Sequence, residues 1–211
     1  MTTNLDQYRA YWTARFAQQS VDSVITHRTP EEHIDYYRPI FAVVAPAAPT
    51  LVFDIGCGSG MLYPLVRELW PACAYVGVDL MPEALQLAQE RYGQDDHTAW
   101  LLSRDVVPAA FPEPVCDFIM VHSVMTHIYP VDAVTLLDNI RASLAPAGRA
   151  SISIHMCDAG VQGNIHTIRY APPLFEAMVA QAGLRIVAQV DGQLPPTAGP
   201  QRYYACERCE A

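Results

Sequence analysis

A chain of 211 residues, 51% hydrophobic and 17% charged, has the length for one domain with a substantial core and is too apolar to be disordered. Its 22 acidic side chains outnumber 13 basic ones, all arginine, and the net charge of −9 argues against broad attraction to nucleic acid or an anionic membrane. No signal-peptide-like core opens the sequence and no stretch is long enough to span a bilayer, so a cytoplasmic protein is expected.

Residues 4–20 space Tyr8, Tyr11, Trp12, Arg15 and Phe16 as one amphipathic helix. Thr29-Pro30-Glu31-Glu32 starts a second, with Thr as N-cap and Pro in the first turn, which runs to about Val44 before a proline breaker. Residues 1–45 thus form a helical extension, expected to lie as a lid over a domain at 46–211. In that domain strands at 51–55, 74–79, 98–102, 115–121 and 149–155 alternate with helices at 60–69, 82–92 and 131–144. A helix over 170–184, a strand at 185–190, a Gly/Pro-rich loop and a last strand, RYYACER, complete the chain. The alternation predicts the α/β class: a doubly wound, mostly parallel sheet with an antiparallel last strand and ligands at the carboxyl ends of its strands.

The stretch LVFDIGCGSGMLY (51–63) carries the most chemistry. A buried strand ends at Asp54, and Gly56, Gly58 and Gly60 turn it into a helix, so the backbone can approach a bound molecule closely. A dinucleotide site wants G-x-G-x-x-G, but Met61 takes the third glycine's place and Asp54 would repel a pyrophosphate. A Walker phosphate loop needs a lysine, and the chain has none. A cofactor with an ammonium and a sulfonium would instead welcome Asp54. Asp79, with Leu80 beside it, ends the second strand, where a carboxylate can accept hydrogen bonds from ribose hydroxyls. Asp105 follows the third strand, placed to accept from an adenine amine, with the Val106 N–H alongside.

With these elements the sequence resembles the class I S-adenosylmethionine-dependent methyltransferases. The motifs that carry the resemblance are DIGCGSG, VGVDLMPEAL, SRDV, DFIMVHSVMTHI and LAPAGRASIS, and it spans about residues 46–206. It implies a seven-stranded sheet with S-adenosylmethionine on the glycine turn. Asp79 would hold the ribose and Asp105 the adenine, and His122 and Ser123 would lie beside the methionine end.

Methyl transfer from a sulfonium is a direct displacement, so the protein mainly positions the reactants, and a base is needed only if the acceptor must lose a proton. Histidine is the side chain best poised for that near neutrality. His127, after strand four, and His155, at the mouth of strand five, are the candidate catalytic groups, and His166 is a further loop histidine. Tyr11, Tyr37, Tyr129 and Tyr170 are the candidate substrate contacts. No metal is expected: the acidic residues of these loops, chiefly Asp132 and Asp158, lie far apart in sequence. The C-x-x-C of Cys206 and Cys209 has no second pair to complete a zinc site.

The leading expectation is a methyltransferase acting on a small molecule, monomeric or homodimeric, with neither nucleic acid nor membrane as partner. Two alternatives remain open on the sequence. One is an enzyme of the same fold in which S-adenosylmethionine attacks its own aminobutyl carbon and releases methylthioadenosine. The other is a cofactor-binding accessory subunit.

Overall fold

The computed structural model describes residues 4–18, 29–105, 110–164, 167–192 and 199–209. Two helices come first, α1 (Asn4–Phe16) and α2 (Pro30–Val44). The start of α2 is fixed locally: Glu32 N donates to Thr29 Oγ1 at 3.2 Å while Thr29 N donates to the Glu32 carboxylate at 2.8 Å, a reciprocal cap. Strand and helix then alternate through β1 (Leu51–Ile55), α3 (Tyr63–Leu69), β2 (Ala74–Asp79), α4 (Pro82–Tyr92), β3 (Thr98–Leu102) and β4 (Cys116–Val121). A single 3-10 turn at Met125–His127 leads into α5 (Pro130–Ser143) and β5 (Leu144–Met156). The hairpin β6 (Val161–Asn164) and β7 (Thr167–Tyr170), helix α6 (Pro172–Gln181), and strands β8 (Leu184–Gly192) and β9 (Gln201–Arg208) complete the order. Proline stands in the first turn of α2, α4, α5 and α6, where its missing N–H costs nothing.

Strands β3-β2-β1-β4-β5 lie side by side and parallel. On the far side of β5 runs β9, antiparallel to it, and β8 pairs antiparallel with β9. The chain winds outward from β1 to β3 and then returns to β4 on the other side of β1. The reversal opens a crevice above the carboxyl ends of β1 and β4, where ligands of such sheets bind.

Strand residues alternate between two cores, one on each face. Val52, Tyr75, Phe118 and Met120 pack with Ile40, Phe41 and Val44 of α2, Leu65 and Val66 of α3, and Leu85 of α4. Phe53, Ile119, Val121, Ile152 and Ile154 pack with Leu136, Leu137 and Ile140 of α5 and Phe175 and Val179 of α6. The period-two pattern therefore builds a sheet covered on both sides, the doubly wound α/β arrangement expected.

Two differences from the sequence reading bear on the sheet. β5 begins at Leu144, which pairs with Cys116 of β4, five positions before the expected residue 149. The sheet has nine strands rather than seven, because β6 and β7 form a hairpin where a long loop was expected. Alternation in Thr-Ile-Arg-Tyr was the available signal, since Ile168 and Tyr170 are buried. His155 and Met156 of β5 pair with Arg169 and Tyr170, so the hairpin extends the sheet past the end of β4. No helix among the described residues is long and apolar enough to cross a membrane.

Candidate active site

One cleft sits over the carboxyl ends of β1 and β4, with ≈ 860 Å³ of space not filled by atoms, part of it open to solvent. Its first wall is the glycine turn with its flanks: Asp54, Gly56, Cys57, Gly58, Met61 and Leu62, joined by Asp79, Met81 and Ala84 from the end of β2 and the start of α4. The turn is pinned to β2, as Gly56 N and Cys57 N both donate to the Val78 carbonyl, at 2.8 and 3.1 Å. Gly56 and Gly58 have φ of 72° and 55°, a region L side chains rarely adopt. A Cβ at Gly56 would also overlap Val124 Cγ2.

Asp79 is fixed by the same turn. One carboxylate oxygen accepts from Gly58 N and the other from Met81 N, each at 2.9 Å, and each keeps a lone pair for a ligand hydroxyl. Burial raises its pKa, and these N–H donors pull it back down. Asp54 is buried, accepts from Tyr75 Oη at 2.7 Å, and has its pKa pushed up to about 7. Burial is the main cause, the Tyr75 hydrogen bond opposes it, and the nearby Asp79 adds to it. Burial also lifts the Cys57 thiol well above its ordinary range, which leaves it a neutral filler of the turn.

The second wall is assembled from distant parts of the chain. Trp12 and Phe16 come from α1, His33 and Tyr37 from α2, and His122, Ser123, Val124 and His127 from the end of β4 and the turn after it. His122 is stacked on Tyr37 (5.2 Å, 11°) and held by a 2.7 Å hydrogen bond between Nε2 and Ser151 Oγ. Burial lowers its pKa to about 3, with His33 adding to the effect, so its ring is neutral. Its Nδ1 is buried with no hydrogen-bond partner among the described residues. Ser123 has φ of 60° and is the non-glycine residue with positive φ among those described. Its N–H donates to Ser153 Oγ at 2.8 Å, and Ser153 Oγ also accepts from Gln201 Nε2 at 3.2 Å. Gln201 Oε1 in turn accepts from Tyr203 Oη at 2.9 Å, and that hydroxyl oxygen lies 3.2 Å from Tyr37 Oη, from which it can accept. A buried polar chain thus runs from the strained backbone at Ser123, through β5 and β9, to a tyrosine of the same wall.

Helix α1 is held over this wall at two points. Tyr8, 1% exposed, accepts the Tyr129 N–H on its hydroxyl at 2.8 Å, and Arg9 donates to the Ser103 carbonyl at 3.3 Å. Trp12 meets His127 edge to face at 5.0 Å and 79°.

The expected site residues therefore divide. Asp54, Gly56, Gly58, Asp79, His122, His127 and Tyr37 line one cleft. Leu80 instead packs against the core, and Asp105 is exposed and off the cleft lining. His155 pairs within the sheet and is not in the lining. Tyr11 accepts from Arg15, and Tyr129 is engaged with Tyr8, both off the lining. Tyr170 is fully buried, donating to the Ile128 carbonyl at 3.1 Å, because it ends strand β7 and points into the core instead of starting the next helix at the site. Val106 and His166 lie outside the described residues. Sequence reasoning missed His33 and Phe16 as site residues. The signal for His33 was its spacing, four before Tyr37 on one helix face. Among the described residues no group of three or more His, Cys, Asp or Glu side chains is placed to hold a metal.

Paired carboxylates, one of them already bound by backbone amides, facing an aromatic wall form a seat for a cationic nucleoside, and the donor set fits S-adenosylmethionine. Strand order, glycine turn and terminal antiparallel pair define the class: a class I S-adenosylmethionine-dependent methyltransferase fold. Residues 52–148, a little under half of the chain, match the family described as "Methyltransferase domain". Two curated relatives are trans-aconitate 2-methyltransferases. That of Rhodopseudomonas palustris (strain BisB5) is 44% identical over 57 residues, 27% of this chain and 22% of its own length. That of Azoarcus sp. (strain BH72) is 34% identical over 122 residues, 56% of this chain and 44% of its own. The match thus spans less than half the length of these relatives. Among solved structures, Burkholderia thailandensis 1,6-didemethyltoxoflavin-N1-methyltransferase, with its substrate and S-adenosylhomocysteine bound, aligns with TM-score 0.73 at 18% identity, over 100% of this chain and 92% of that one. The N-methyltransferase NodS from Bradyrhizobium japonicum WM9, in complex with S-adenosylhomocysteine, aligns with TM-score 0.72 at 19% identity, over 99% and 100%. At these identities the likeness is one of fold.

Proposed function

We propose that this chain transfers a methyl group from S-adenosylmethionine directly to a small-molecule acceptor. The observation that carries the reading is the two-walled cleft, in which the glycine turn with Asp54 and Asp79 faces a separate surface of aromatic and histidine side chains. The cofactor supplies an electrophilic methyl on a sulfonium. Asp79 accepts from the ribose hydroxyls, Asp54 offers negative charge to the ammonium, and Gly56 and Gly58 let the backbone approach the ligand. The second wall holds the acceptor opposite and, with α1 and α2 as a lid over it, excludes water. His127 and His33 are the groups on that wall that would take a proton where the acceptor must lose one. The trans-aconitate 2-methyltransferases and the 1,6-didemethyltoxoflavin-N1-methyltransferase named above act on small molecules, which supports the same class of acceptor here. The net charge of −9 supports an acceptor other than nucleic acid, and the reading includes a cytoplasmic location and a monomeric or homodimeric state.

Incubating the purified protein with S-adenosylmethionine tests this. S-adenosylhomocysteine released only when an acceptor is present is the expected result. Methylthioadenosine released from the cofactor alone would replace methyl transfer with intramolecular cleavage.

A further inference from the structure

We propose that the acceptor is an uncharged, flat heteroaromatic molecule, held on the wall of Trp12, Phe16, His33, Tyr37, His122 and His127, and not a polycarboxylate. The inference rests on the methyltransferase reading above and narrows its substrate class.

Charge is the first argument. The chain has no lysine, and no arginine lines the cleft among the described residues. Six of the described arginines are engaged away from the cleft, and Arg15 lies over the Trp12 and Tyr11 rings and donates to Tyr11 Oη. Arg38 pairs with Glu68, Arg149 and Arg185 with Glu207, and Arg202 with Asp191. Arg67 donates to carbonyls at Cys73 and His97, and Arg169 lines a separate groove with Asp158 and Gln162. The carboxylates in the cleft lining are Asp54 and Asp79. A tricarboxylate entering it would lose water from three negative charges with no cation among the described lining residues to receive them, beside two more carboxylates. S-adenosylmethionine, with two positive centres and one negative, brings a single net positive charge and leaves that deficit standing.

Shape is the second. The wall presents ring faces at two orientations: His122 and Tyr37 lie parallel within 11°, and Trp12 stands edge-on to His127 at 79°. Flat ligands fill such surfaces by offset stacking and edge-to-face contact. The third is the kind of polar atom offered. His122 is 7% exposed, Ser151 takes its Nε2, and Nδ1 has no partner among the described residues. A buried imidazole nitrogen left unmatched costs free energy that a ligand group of the right polarity recovers. The unmatched His122 nitrogen suits a ring N–H, a ring nitrogen or a phenol, whereas carboxylate recognition uses arginine forks.

Calorimetry on the full chain at pH 8, where imidazole is ordinarily uncharged, separates the possibilities. S-adenosylhomocysteine is titrated first, and its failure to bind would remove the methyltransferase reading itself. With the cofactor product bound, indole and 4-hydroxyquinoline are expected to bind and trans-aconitate is not. Trp12→Ala and Phe16→Ala should each weaken ring binding about tenfold while S-adenosylhomocysteine affinity stays within about twofold. Trans-aconitate binding more tightly than both ring compounds, or neither ring compound binding to the loaded protein, overturns the inference and leaves the cofactor assignment intact. So does ring binding unchanged in both variants.

Discussion

The two walls of the cleft are built in opposite ways. The cofactor wall comes from residues 54–62 and the end of β2, is charged, and is pinned by backbone N–H groups to β2 and to Asp79. The acceptor wall gathers residues from α1, α2 and the end of β4, carries rings instead of formal charge, and is held by side-chain contacts. A wall fixed by the main chain depends little on which side chains surround it. A wall fixed by side chains changes with each of them, which suits it to selecting an acceptor.

The comparison breaks most sharply at Asp79. Asp79→Ala strands the Gly58 and Met81 amides and removes the ribose acceptor, so S-adenosylhomocysteine affinity should fall about 100-fold, since hydrogen bonds to a charged group are worth about 1.5–3 kcal/mol each. A loss within threefold by calorimetry would mean that the cofactor does not sit on this wall.

Asp54 sharpens the contrast through pH. With its pKa raised to about 7, its carboxyl is protonated below that value and offers a cationic cofactor no charge. S-adenosylmethionine affinity should therefore drop about tenfold from pH 8 to pH 6, and Asp54→Asn should flatten the profile. The sign for folding is opposite. Between about pH 4 and pH 7 the native protein holds a proton that the unfolded chain releases, so this group's contribution to stability declines as pH rises across that window. Thermal melts of the cofactor-free protein should show Asp54→Asn gaining on the parent toward pH 8.

On the acceptor wall the effects should be smaller and kinetic. Ser153→Ala removes the acceptor of the Ser123 N–H, and turnover should fall about tenfold with S-adenosylhomocysteine affinity changed less than about twofold. Equal losses in both quantities would show that the two walls are not separable there. Tyr8→Phe should be mildest. Losing the hydroxyl that accepts from Tyr129 N costs about 1 kcal/mol, or about 2–4 °C in Tm.

The same division decides what the sequence disclosed. Asp54, Gly56, Gly58 and Asp79 were readable because a glycine turn following an apolar strand imposes its geometry over a few adjacent residues. The strand–helix alternation likewise reflects local period and proline punctuation. His33 and Phe16 were not read as site residues, because their place on the cleft depends on how α1 and α2 cross the sheet, which no local pattern encodes. Tyr170 was not read as a core residue, because the four residues of alternation in β7 are too short a run to mark a strand. The relay through Ser153 and Gln201 joins residues 48 apart, and its members carry no motif.

Where Gly56 meets Val124, the two walls touch with less than a methyl group's clearance. The residues there behave as a coupled pair in mutational terms. A Gly56→Ala change loads Val124, and Val124→Ala relieves that crowding while leaving the strain of φ 72° in place. Rescue should thus be partial and non-additive, and a change that reshapes the acceptor side at 124 sets which residues the cofactor side tolerates at 56.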